Sequence, residues 1–380
     1  MQSSTMDPGD TLKSPRGVYK IVKWLGSGKF GDVYLTDYMA KNTSNSEQVA
    51  LKEIALRGID EEEEKECKKE AELMERISNS STSPHVVKYL DSFIEKVYTG
   101  RLLPQAAEMI LPSHESLYIA MDYCSRGDLS RKIKANVKSG EEFDPETIYD
   151  YIYQIADGIN ELHFKHNIVH RDLKPANILI AWKNGKEVLK ISGFDLATVI
   201  DSLNKTQSYS EMCGTPFYMA PEQWKGDSRR FSVDIWAIGI IFYELCIAPK
   251  RLMNEIYDLR EKIMNGQRVN LPSRYSEADT IWLNKMIAKD PSKRMSSDQV
   301  RDKAENPDPP EWRTDASIAY FTDKLYYLGG WDPEIWEDTN RVDLLMEEVA
   351  QRYIDYQTMN GNGVKLEGFQ KDYVLSESHR

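Results

Sequence analysis

In the first third of the chain short segments alternate apolar with polar positions or run β-branched and aromatic, and further on apolar positions return every three or four residues. Residues 19–25, 32–38 and 48–54 alternate or run β-branched and aromatic, the pattern of half-buried strands. Residues 61–77 switch to a helical period dense in Glu and Lys, a solvated helix face for most of its length. Strands resume at 86–94 and 116–123. After Gly127 the helical period dominates, and 149–164 spaces Ile152, Ile155, Ile159 and Leu162 for one buried face. Asn184-Gly185 marks a tight hairpin. Strands first and helices later predict an α+β protein with a small sheet-rich lobe and a larger helical lobe.

Three stretches depart from this order. Residues 1–15, rich in Ser, Thr, Asp, Pro and Gly, read as disordered. Residues 99–114 exceed what a hairpin needs and read as a surface insertion. Asn306-Pro307-Asp308-Pro309-Pro310 is a linker signal, which divides residues 16–305 from an extension over 306–380. That extension carries Trp312, Tyr320, Phe321, Tyr326, Tyr327, Trp331 and Trp336, with a helix predicted over 333–356. So many aromatics imply packing on its own lobe or on a partner.

Charge and cysteine usage narrow the setting. The 380 residues are 41% hydrophobic and carry a formal net charge of −12, the wrong sign for nucleic acid or an anionic membrane. Cys67, Cys124, Cys213 and Cys246 form no CxxC pair, so no metal or redox motif is indicated. The polar N-terminus lacks a signal-peptide core, and residues 235–248 are too short for a membrane span and read as a buried helix. An intracellular, cytoplasmic protein is expected.

Candidate chemistry begins at Gly26-Ser27-Gly28-Lys29-Phe30-Gly31. A dinucleotide site would need a helix after these glycines. Here strands flank both sides, so they predict a hairpin lid whose backbone N–H groups face phosphates. Lys52 follows at a suitable distance. His170-Arg171-Asp172-Leu173-Lys174-Pro175-Ala176-Asn177 supplies a carboxylate to accept a hydroxyl proton (Asp172). It also supplies a cation for a transferring phosphoryl group (Lys174) and an oxygen for a metal (Asn177).

With these motifs the chain, over about residues 17–305, resembles the eukaryotic-type protein kinase family, and Lys174-Pro175-Ala176-Asn177 favours its serine/threonine branch. A loose likeness to NIMA-related kinases is visible. The resemblance implies a bilobal fold, with lobes over about 16–122 and 126–305, and ATP and Mg2+ as cofactors. Protein substrates are implied by a loop at Thr215-Pro216 suited to an extended peptide. It implies that Glu70, or Glu66 one turn earlier, pairs with Lys52. ATP would be lined by Leu25, Gly26, Ser27, Gly28, Gly31, Val33, Ala50 and Leu179. Met121, Asp122 and Cys124 would frame the adenine hinge, and Asp128 would reach the ribose or cap a helix. Glu222, in Ala220-Pro221-Glu222, would pair with Arg294. Glu211 stands where many members carry a phosphothreonine and would pair with Arg171.

One motif departs from the family. Where the family has Asp-Phe-Gly, this chain reads Gly193-Phe194-Asp195, so the residue that should hold the metal is glycine. Asp195 lies about 7 Å further along an extended chain and cannot take over without backbone movement. Two readings follow: phosphotransfer with altered metal use, Mg2+ or Mn2+, or a pseudokinase acting as a nucleotide-binding or scaffolding module.

Overall fold

A computed structural model describes residues 6–28, 31–98, 113–200, 215–227, 230–248 and 259–305, together with short strands between 317 and 375. Two units emerge, Met1–Val269 with Leu283–Arg301, and Asn270–Trp282 with Asp302–Arg380.

The first unit opens with an antiparallel sheet of order β1-β2-β3-β4-β6-β5. Its strands are β1 (Thr11–Lys13), β2 (Gly17–Gly28), β3 (Gly31–Ala40), β4 (Ser46–Ala55), β5 (Tyr89–Tyr98) and β6 (Ser113–Asp122). Register decides which side chains share a face. Val33 opposes Lys52, Leu35 opposes Ala50, and Ala50 in turn opposes Met121. These residues therefore line one face, and Tyr34, Val49, Leu51 and Tyr118 line the other.

That second face holds an aromatic core. Tyr19 stacks on Tyr38 at 4.6 Å and on Phe93 at 5.4 Å, and Phe93 stacks on Tyr118 at 5.2 Å. Glu53 is buried there and accepts hydrogen bonds from the hydroxyls of Tyr34, Ser116 and Tyr118. Residues 6–15 are not disordered as their composition suggested. β1 pairs with β2, Leu12 opposite Tyr19, and Met6 and Leu12 are buried in the aromatic core. Burial of two apolar side chains and a strand ladder offset the ordering cost.

Helix α1 (Glu61–Ser80) starts at a capping box. The Asp60 carboxylate accepts from the Glu62 and Glu63 amides, and Glu63 accepts from the Asp60 amide. Its buried face carries Glu70, Ala71, Met74 and Ile77. Helices α2 (Leu129–Ser139) and α3 (Pro145–Asn160) are capped by Asp128 and Asp144. The helix expected over 149–164 is α3 followed by a π-helical turn at Glu161–Lys165. Between β8 (Ile178–Lys183) and β9 (Lys186–Ile191), Asn184 and Gly185 both have positive φ, 51° and 79°. This is the geometry of a type I′ hairpin. β7 (Ile168–Val169) pairs with β10 (Thr198–Val199). Helix α4 (Ser232–Ile247) is buried along almost its whole length, Asp234 and Glu244 included. Helices α5 (Glu277–Met286) and α6 (Ser297–Glu305) follow.

The C-terminal extension is not helical where it is described. β11 (Ser317–Phe321), β12 (Lys324–Leu328), β15 (Val342–Leu345) and β16 (Val374–Leu375) form a sheet of order β15-β12-β11-β16. β13 (Trp331–Asp332) pairs with β14 (Glu337–Asp338). The helix predicted over 333–356 is thus corrected at 337–338 and 342–345. There the backbone pairs across strands, Leu345 opposite Leu325 and Val342 opposite Leu328, an interaction that local periodicity does not report. The rest of that span lies outside the described residues, as do Trp312, Trp336, Glu211, Cys213 and 99–112 of the expected insertion. Residues 113–114 belong to β6 instead. No described helix is long and apolar enough to cross a membrane.

Candidate active site

The glycine lid is a hairpin, as the flanking strands require. Gly26, Ser27 and Gly28 end β2, Gly31 begins β3, and Gly28 pairs with Gly31. Gly31 has φ +155°, and a Cβ there would fall 1.7 Å from the Glu53 carbonyl oxygen, so only glycine fits. The Ser27 hydroxyl donates to Asp32 at 2.5 Å. Leu25, at the same end of β2, is half-buried.

Beyond the lid, Val33, Ala50 and Met121 share the face of the sheet that carries Lys52. At the end of β6, Asp122 accepts from the Lys88 amide at 3.1 Å and from Lys190 Nζ at 2.5 Å. Cys124 is buried, and burial pushes its thiol up to about 12. Asp128 caps α2 by accepting from the Arg131 amide at 2.9 Å, and its backbone bridges to Leu179 on β8. Its helix-capping role is therefore visible in the hydrogen bonds.

The loop after β7 is held from beneath. Asp234, on α4, accepts from the His170 amide at 2.9 Å, the Arg171 amide at 2.9 Å and His163 Nε2 at 2.8 Å. Burial opposes its ionisation, but His163 and the His170 amide outweigh burial and hold its carboxyl below the usual range. Arg171 has φ +67°. Its guanidinium donates to the Leu196 carbonyl at 2.7 Å and bonds to the Thr198 hydroxyl. The proposed partner Glu211 lies outside the described residues.

Above that brace, Asp172, Lys174 and Thr215 form a closed triangle. Lys174 Nζ lies 2.6 Å from Asp172 Oδ2 and 2.7 Å from Thr215 Oγ1, and Thr215 donates to Asp172 Oδ1 at 2.9 Å. Asn177 Nδ2 donates to the Asp172 carbonyl at 2.8 Å. The carboxylate is thereby fixed in orientation, with a cation beside it. Glu222 and Arg294 form a buried bidentate pair at 2.5 and 2.8 Å, and Gln223 donates to the Arg171 carbonyl at 3.1 Å.

Lys52 Nζ lies 2.8 Å from both Glu70 oxygens and 2.6 Å from Asp195 Oδ1. Glu70, not Glu66, is the α1 acid that reaches it. Burial works against the ammonium, yet the two carboxylates outweigh burial and raise its pKa. Burial and the nearby Asp195 push the Glu70 carboxyl up, against the pull of Lys52.

Gly193 has φ 78° and ψ 60°, and Phe194–Leu196 form a 3-10 turn. The left-handed residue sends Phe194 into the core, 5.5 Å from the His170 ring, and delivers Asp195 to Lys52. A Cβ on Gly193 would lie 2.7 Å from Asn177 Cγ and Nδ2. Phe194 therefore keeps a buried position despite the swap.

A divalent ion does not fit this donor set as it stands. Position 193 offers no side-chain oxygen and Asp195 is engaged by an ammonium. Of the predicted ligands that leaves Asn177 Oδ1, since its amide nitrogen donates to the Asp172 carbonyl. Among the described residues no group of three or more His, Cys, Asp or Glu side chains could hold a metal.

Sequence reasoning alone missed His163, Gln223, Lys190 and Thr198. All act through polar contacts between residues far apart in the chain. The advance signal was the likeness of Asp234-Ile235-Trp236-Ala237-Ile238-Gly239 to the family's central helix, which braces the catalytic loop.

The protein kinase domain family model matches residues 19–304, and the chain belongs to that family. It is 28% identical over 295 residues to serine/threonine-protein kinase Nek2 of Homo sapiens, covering 76% of this chain and 59% of that protein. It is 29% identical over 285 residues to probable serine/threonine-protein kinase nek2 of Dictyostelium discoideum, covering 74% and 61%. Against serine/threonine-protein kinase Nek5 of Homo sapiens it is 34% identical over 229 residues, covering 60% and 28%. The chain thus spans less than two thirds of these relatives.

Proposed function

We propose that the chain transfers the γ-phosphoryl group of ATP to Ser or Thr hydroxyls of protein substrates, with altered metal binding. The observation that carries this reading is the Asp172–Lys174–Thr215 triangle set beside an intact Lys52–Glu70 pair. In the transfer, the bond from the γ-phosphorus to the β,γ-bridging oxygen breaks and a bond to the substrate oxygen forms. Asp172 orients the hydroxyl and accepts its proton. Lys174 stabilises charge on the moving phosphoryl group, and Lys52, held by Glu70, orients the phosphates. A divalent ion, Mg2+ or Mn2+, neutralises phosphate charge in this family. Here Asp195 could serve it only by leaving Lys52.

The test is phosphotransfer from ATP to a protein substrate, with magnesium and with manganese. Asp172→Ala should lower the rate by about 10²–10⁴-fold, and transfer that survives the substitution undiminished would refute the assignment. The missing carboxylate at 193 favours a second reading, a pseudokinase that binds nucleotide or partners without chemistry. Nucleotide-induced thermal stabilisation without any Asp172-dependent transfer would select it.

A further inference from the structure

We propose that Asp195 is an internal competitor for the phosphates of a nucleoside polyphosphate, holding Lys52 until the ligand displaces it. The inference rests on the reading of the cleft as an ATP site.

Four features carry it. An ammonium has three N–H donors, and Lys52 Nζ meets three carboxylate oxygens, two from Glu70 and one from Asp195. A phosphate oxygen must therefore replace one of them. The two acids are unequal in hold. Glu70 is bidentate, sits on a twenty-residue helix and is 7% exposed, whereas Asp195 offers one oxygen and is 26% exposed. Asp195 also lies on a three-residue turn beside a left-handed glycine, so it is the partner that gives way. Finally, a carboxylate held on the phosphate-seeking cation repels an incoming anion in a partly desolvated site. The same contact keeps Lys52 and Glu70 aligned, which makes Asp195 a positioning residue until the ligand binds.

The test is calorimetric titration of the full chain with ADP in EDTA, and with adenosine as a probe lacking phosphates. Asp195→Asn removes the charge at nearly constant size, and Asp195→Ala removes the group, with melting curves to verify folding. Both variants should bind metal-free ADP about tenfold more tightly than the wild type, a difference of about 1.4 kcal/mol. Their affinity for adenosine should not change. Unchanged or weaker metal-free ADP binding in both variants would overturn the proposal. So would an equal gain for adenosine, or a loss confined to magnesium-loaded ADP, which would make Asp195 a metal ligand. If neither wild type nor variants bind ADP or adenosine, the ATP-site reading itself fails and the proposal falls with it.

Discussion

At the scale of single residues, the space beside Gly193 is filled by Asn177, and its backbone is left-handed. Restoring only the family's aspartate is therefore disfavoured twice, by backbone strain and by a clash with a side chain that bonds to Asp172. Gly193→Asp should destabilise the fold by about 1–3 kcal/mol, read as a lower urea midpoint, and should not by itself raise phosphotransfer. An unchanged midpoint would show that the turn is free to reorganise. The swap itself was legible in the sequence, because it is a matter of residue order. Its consequence was not: whether Asp195 meets a metal or Lys52 depends on one dihedral angle and on where α1 brings Glu70.

At the scale of elements, β1 seals the aromatic face of the sheet. Truncation before Arg16 removes Met6 and Leu12 from the buried cluster they share with Tyr19, Phe93 and Tyr118. The loss should be about 3–6 kcal/mol at roughly 1.5–3 kcal/mol for each of the two buried side chains, measured by denaturant titration. β1 was illegible because Thr11-Leu12-Lys13 holds a single apolar residue and follows a Pro-Gly turn signal. Its order comes from a partner strand, not from its own composition. The strands β2, β3 and β4 were legible because each alternates or runs β-branched and aromatic over about seven residues. The Glu222–Arg294 pair joins the segment after Thr215 to the residues before α6. Arg294→Met leaves a buried carboxylate alone and should cost about 3–5 kcal/mol, whereas a midpoint shift near zero would show the pair to be energetically idle.

At the scale of the whole molecule, stability should depend on pH through buried acids. Glu244 on α4 accepts from the Tyr218 hydroxyl at 2.8 Å, and burial raises its pKa from 4.5 to about 7 despite that bond. Between those values the folded chain holds the proton more tightly than the unfolded chain, so stability falls as pH rises across the window. Glu244→Gln should flatten that slope and be the more stable form above pH 7, by at most about 3 kcal/mol. Melting temperatures from pH 4.5 to 8 check this, and parallel curves for the two proteins would refute it. Family, lobe order and most cleft residues were legible because the motifs are local. The helix under the catalytic loop was legible through the likeness of Asp234-Ile235-Trp236-Ala237-Ile238-Gly239 to the family's central helix, but the His163 contact to Asp234 and the sheet in the C-terminal extension were not, since both join residues distant in sequence.

On the proposed function, the cleft is assembled for phosphotransfer and departs from its family at one metal donor, position 193. The most direct measurement exchanges the two residues, Gly193→Asp with Asp195→Gly, and follows phosphotransfer rate against magnesium concentration. Slow, Asp172-dependent transfer with a shallow metal response is expected in the wild type, and a faster rate with a steeper response in the exchanged variant. Absence of transfer in both proteins, or indistinguishable magnesium curves, would contradict it.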